Sequence, residues 1–232
     1  MYLFAFAKLQ PTVRLPPKRR TREEQEKIMY RGERFNSLSH LVGVGLAIFG
    51  LIMLLLTEGA RQDTWRAVSF SIYGGALVLL YTISTLYHSL SGEAKKILRT
   101  FDYLAIYLLI AASYTPFALV TLRGPWGWTL FGLIWGLALI GMIQELALGR
   151  RTRLFSMLIY VVMGWLIVIA VHPLVRQLAL AGLLWLAAGG LIYTLGIYFF
   201  LNDDKLPHGH GIWHLFVLGG SAAQYWCILN YV

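Results

Sequence analysis

Long apolar runs broken by brief clusters of charge dominate this chain. Seven stretches, at approximately 38 to 57, 67 to 90, 102 to 122, 126 to 145, 154 to 172, 178 to 201 and 212 to 232, have interiors free of Asp, Glu, Lys and Arg. Each approaches the roughly 20 residues that a helix needs to cross the hydrocarbon core of a bilayer. The pattern predicts an all-α, polytopic membrane bundle of seven transmembrane helices. The links between the stretches are short, which predicts no inserted soluble domain. Two parts are expected. Residues 1 to 37 read as a basic tail that is loose around Pro11, Pro16 and Pro17 and ends in a short surface helix; residues 38 to 232 read as the seven-helix domain. The opening MYLFAFA is brief and precedes its basic cluster, so no cleaved signal is expected. Gly43, Gly45 and Gly50 in the first stretch, and Gly189, Gly190 and Gly196 in the sixth, suit close helix packing.

Composition agrees with lipid as the solvent. Hydrophobic residues make up 58% of the chain and charged ones 13%, about half the charged share of an ordinary soluble domain, and the mean hydropathy is +0.63. The net charge of +9 would suit nucleic acid if it formed one face. It does not, because most of the basic residues lie in the tail and two short loops, so anionic lipid headgroups are the expected partner and nucleic acid is not. The single cysteine, Cys227, sits in an apolar run and says nothing about redox compartment.

The placement of those charges supplies a direction. With the N-terminus in the cytoplasm, sixteen of the twenty Lys and Arg fall in inner segments, and only Arg61, Arg66, Arg123 and Arg176 fall outside. The positive-inside bias therefore predicts an inner N-terminus, an outer C-terminus and an odd number of spans.

That direction gathers histidines scattered along the chain. The second span would end on the inside, at His88; the third and seventh would begin there, at Asp102 and at His210 and His214. His210 and His214 are four residues apart and share a helix face, as do Ser84 and His88. Three neutral imidazoles with a water would form an open tetrahedral zinc site, in which the metal brings the pKa of water to about 7. Asp102 would then hold or deprotonate the water, or orient a histidine. Blander readings stand beside these. The histidine pair could be interfacial, Asp102 could cap the third helix, and Ser84 could bond back to its own helix. Glu33, Asn36 and His40 share one face of a helix entering the first span; His40 is a fourth ligand, a hydrogen-bonding support or a packing residue on this reading. His172 falls at the outer side and His208 precedes the last helix, so neither is expected in the site.

At these residues the chain resembles the hemolysin III family, the bacterial branch of the progestin and adipoQ receptor superfamily, which is related to the alkaline ceramidases. The matching stretches are Glu33 to His40 with Asn36 and Ser39, Ser84 to His88, Phe101 to Ile106 running into Tyr114, Thr115, Pro116 and Phe117, and His210 to Leu218. Tyr103 and Ala112 stand where bacterial relatives often carry His and Gly. The resemblance implies a multi-pass protein of the bacterial inner membrane, with zinc held by His88, His210 and His214, and with Ser84 and Asp102 beside it. It places Glu33, Asn36, Ser39 and His40 in its surroundings. The activity implied by ceramidase-like relatives is zinc-dependent hydrolysis of a lipid amide, with a lipid or acyl chain as substrate. The family name suggests a channel-forming cytolysin instead, and the receptor relatives suggest a zinc-stabilised regulator of membrane lipid state without catalysis. Oligomeric state is not readable from the chain.

Overall fold

The computed structural model describes residues 22–148 and 153–232, with side chains from 33 to 147 and from 154 onward; the basic tail of residues 1 to 20 lies outside the described residues. Seven helices are long and apolar enough to cross a membrane: Glu33–Leu56, Thr64–Ser89, Gly92–Thr121, Pro125–Ala147, Leu154–Gln177, Leu180–Leu201 and Gly209–Tyr231. They follow one another up and down, so the first span begins at one end of the bundle (the proximal end) and the chain finishes at the other (the distal end). The helix that carries the first span is continuous from Arg22 to Leu56, so the segment expected as a surface helix runs into the first span without a break.

The short links are closed by their own polar residues. Thr57 bonds the Ala60 amide at 3.3 Å, and Asp63 takes the Trp65 amide at 2.8 Å, opening the second span. Two spans are irregular in their lower-to-upper course, and each has a cause. Pro116 lacks an amide proton and crowds the preceding turn, and the third span answers with a wider π-helical turn over Phe117–Thr121. The fifth span is helical over Arg153–Trp165, tightens over Leu166–Ala170 and resumes at Val171–Gln177, placing Pro173 in a first turn where its missing amide costs little. Tyr114 serves this break: its hydroxyl faces the Met163 and Gly164 carbonyls at 2.7 and 2.9 Å and accepts the Ile167 amide at 3.0 Å.

The first span packs on the second and seventh, the second on the third, the third on the fourth, and the sixth on the seventh, whereas the fifth and sixth barely touch. The third span is the interior helix, with 67% of its apolar window buried against 17% for the sixth. Tyr73, Tyr107, Phe117, Leu130, Ile134 and Met163 fill the core. Large apolar side chains also cover the outside, among them Leu46, Phe49, Ile140, Leu180, Leu184 and Leu195. An apolar exterior around an apolar interior is stable only in hydrocarbon, and the chain is an integral membrane protein. Gly182, Gly189 and Gly196 recur every seven residues along the sixth span and let the seventh lie against it.

Candidate metal centre

Two spans bring the predicted histidines together at the proximal end. His88 is in the last turn of the second span, and His210 and His214 occupy the first two turns of the seventh. One ligand atom from each lies within 4.8 Å of the others. His88 and His214 are 3% and 2% exposed, so water does not compete freely for their nitrogens.

Each of the three rings is fixed through its Nδ1. His88 Nδ1 faces a Glu33 carboxylate oxygen. His210 Nδ1 lies 3.0 Å from Asp203 Oδ2. His214 Nδ1 lies 3.0 Å from the Asn36 carbonyl and 3.1 Å from Ser39 Oγ, whose own proton goes to the same carbonyl at 2.9 Å. A carboxylate or carbonyl can only accept, so each Nδ1 carries the ring proton and each Nε2 keeps its lone pair. His88 Nε2 is buried and has no hydrogen-bond partner among the described residues. A protonated Nδ1 on an acceptor, leaving Nε2 for a metal, is how metal-binding imidazoles are prepared. The donor set fits zinc, which favours neutral imidazole nitrogens.

Glu33 anchors this arrangement. Besides His88 it accepts Asn36 Nδ2 at 3.1 Å and Lys95 Nζ at 2.9 Å, and Lys95 also lies 4.8 Å from the centre of the Tyr87 ring. A carboxylate with three donors is fixed in place and compensated in charge. Local backbone geometry does the rest. The turns between the sixth and seventh spans, closed by Leu206 and Lys205 amides on the Asn202 carbonyl at 2.9 and 3.0 Å, fold Asp203 back onto His210. Gly211 lets the first span close in, because a methyl group there would sit 2.1 Å from Phe35.

The other predicted residues are nearby in different roles. Ser84 hydrogen-bonds Asp102, and both line a cavity of about 140 Å3 together with His40, His210 and His214. The third helix starts at Gly92 behind Ser91, so Asp102 lies ten residues inside it and the capping reading fails. His40 stacks on His214 with centroids 3.6 Å apart and planes 10° apart, and meets the Tyr81 ring edge-on. It stands outside the ligand group, and neither of its ring nitrogens has a hydrogen-bond partner among the described residues. His172 is at the distal end, and His208, in a left-handed conformation, packs on Phe35. Asp203 and Lys95 were missed from the sequence. The seven-residue separation of Asp203 from His210 suggests no contact unless the turn between them is known, and Lys95 reads as one more inner charge.

The only charged pair described across the distal loops is different in kind. Asp63 takes Arg123 at 3.0 Å in the open, and the Trp65 amide and that guanidinium hold its carboxylate below the usual range.

The family profile described as "Haemolysin-III related" matches residues 29–225. "Hemolysin-3" of Bacillus cereus is 46% identical over 198 residues, covering 85% of this chain and 90% of that protein. The "Hemolysin-3 homolog" of Bacillus subtilis (strain 168) is 44% identical over 197 residues, 84% of this chain and 92% of its own. The human "Monocyte to macrophage differentiation factor" is 32% identical over 204 residues, covering 85% and 83%. The range matched by the profile includes every residue of the histidine cluster. The chain belongs to the haemolysin III family.

Proposed function

We propose that the protein is a zinc-dependent hydrolase of lipid amide bonds, with the metal held by His88, His210 and His214 at the cytoplasmic face. The observation that carries this reading is that the three-histidine group, which has no fourth protein ligand among the described residues, adjoins an apolar cavity with Asp102 and Ser84 on its wall. A structural zinc site is normally closed by four protein ligands, and a catalytic one keeps a position open. Zinc there supplies Lewis acidity, polarising a carbonyl and making water acidic enough to react near neutral pH.

The chain's own residues supply the remainder. Glu33, Asp203 and the Asn36 carbonyl hold the three imidazoles in orientation. Asp102, steadied by Ser84, is placed to take a proton from water as its oxygen adds to the carbonyl and to return it to the nitrogen as the C–N bond breaks. Leu80, Ile106, Ile110, Met157, Ile197 and Val217 give the cavity the apolar wall that an acyl chain requires. The Lys and Arg distribution supports the inner N-terminus, which gives the histidine cluster its cytoplasmic location.

The test is release of fatty acid from N-acyl sphingoid bases and simple N-acyl amines by the purified, full-length protein in lipid nanodiscs. Release should stop with a chelator and return with zinc, and Asp102→Asn should slow it at least 100-fold while leaving zinc bound. Stoichiometric zinc without release would favour a metal-stabilised, non-catalytic protein. The relatives' name raises lysis as a second reading, favoured by their 46% and 44% identity. Among the described residues, the distal halves of the spans carry no charged side chain away from the helix ends, whereas an ion pore usually needs polar or charged rings. Metal-independent leakage of dye from liposomes would decide for it.

A further inference from the structure

The cavity continues well beyond the histidines, and its deeper wall is not uniformly apolar. It reaches Gln224, ten residues after His214 on the same helix, a separation of about 15 Å along the axis. The other hydroxyl-bearing side chains in that part of the wall are committed within the protein. Ser113 donates to the Ile110 carbonyl at 2.8 Å, Thr194 donates to Gly190 at 2.7 Å and accepts Trp165 Nε1 at 3.2 Å, and Tyr193 bonds Ser221 at 2.7 Å. Tyr114 is taken up by the break in the fifth span. Gln224 is the exception: its side-chain carbonyl oxygen is buried with no hydrogen-bond partner among the described residues. Its position is set by Gly189 of the sixth span, where a methyl group would lie 2.8 Å from Gln224 Cγ.

A buried amide oxygen in a low-dielectric wall is costly unless a donor faces it. Because Gln224 lines the cavity, a molecule held there is placed to supply that donor. The group that best complements a carboxamide is a hydroxyl, which can donate to the oxygen and accept from the amide nitrogen. We infer that the cavity selects lipids whose acyl chain carries a hydroxyl part-way along its length, read by Gln224 about 15 Å from the metal-facing imidazole of His214. The inference rests on the proposed reading of the cavity as the seat of a lipid chain. It adds the class of chain.

Direct binding tests this without turnover. Stearic acid and the same acid hydroxylated at about its twelfth carbon, the distance that an extended chain needs, are compared as competitors of a fluorescent fatty acid on the full-length protein in nanodiscs. The hydroxylated acid should displace the probe at about fivefold lower concentration, and an acid hydroxylated beside its carboxyl should show no gain. Gln224→Leu and Gln224→Met should abolish the difference between the two acids. Equal displacement by the two acids in the wild type overturns the inference, and so does a preference that survives both substitutions; the wild-type pair decides alone if the variants fail to fold. Absence of amide hydrolysis leaves the inference standing, since binding needs no turnover. Failure of both acids to displace the probe removes it together with the lipid-chain reading of the cavity.

Discussion

The two ends of the bundle use acidic side chains for different purposes. At the distal end Asp63 caps the second span and pairs with Arg123 across two loops, with half of the arginine side chain in the open. It closes a helix terminus, and water can take over most of what it does. At the proximal end Glu33 and Asp203 accept from imidazole Nδ1 atoms of the histidine cluster, leaving the opposite nitrogen of His88 buried without a partner among the described residues. There the acid does not finish a helix; it prepares a ligand. The same residue types become structural or chemical according to what lies on the far side of the hydrogen bond, and burial determines how much depends on it.

Substitutions at four kinds of position would break or sharpen this contrast. The largest effect is expected at the ligands themselves: His88→Ala or His214→Ala should lower zinc from about one per chain to under a tenth, measured by elemental analysis of purified protein. Full zinc in a variant lacking all three histidines would remove the metal centre altogether. Next comes Glu33→Gln, which keeps the shape and removes the charge. A weakening of zinc affinity by about 10- to 100-fold in competition with a chelating dye is expected, with Asp203→Asn comparable. Unchanged affinity in both would mean that packing alone orients the rings.

Gly211→Ala should act through packing, driving Phe35 and the first span away from the seventh. Overpacking of this kind costs about 1–3 kcal/mol, and thermal unfolding should fall by about 5 °C together with some loss of zinc. An unaltered melting temperature would show that the first span can shift without consequence. The smallest effect is expected at the distal end, where Asp63→Ala should lower the melting temperature by about 2 °C and leave zinc untouched. Its pH dependence has a definite sign. Because the folded carboxylate is held below its ordinary value of 3.8, its contribution is complete above that pH and is lost as pH falls through the lower folded value. The difference between variant and wild type should therefore be constant near neutrality and vanish only in strong acid.

Much of this was legible along the chain because bilayers impose a simple rule. About 20 apolar residues must stand together wherever a helix crosses, so six of the seven spans could be read to within about five residues at each end, whereas the third begins at Gly92, ten residues before the expected start at Asp102, because its first turns carry Lys95, Lys96 and Arg99. The four-residue spacing of His210 and His214 could be read as a shared face, and the alternation of spans brought His88 and Asp102 to the same level. Less visible was the partner of each group. Glu33 and Asn36 were readable as one helical face, but not that Glu33 would meet His88 while the Asn36 carbonyl met His214. Asp203 required the turns after Asn202, and Gln224 is one polar residue in an apolar run that shows nothing of a cavity beside it.

What the sequence by itself determined was therefore the set of spans and the depth of each polar residue, because transfer into hydrocarbon depends on local composition and length. Tertiary structure alone decided what holds the Nδ1 of each histidine, that His40 stacks beside the ligand group instead of joining it, and that the site opens into a cavity that reaches Gln224. Those outcomes depend on the rotation of one helix against another, and close contacts such as Gly211 with Phe35 and Gly189 with Gln224 set that rotation across distances no local pattern encodes.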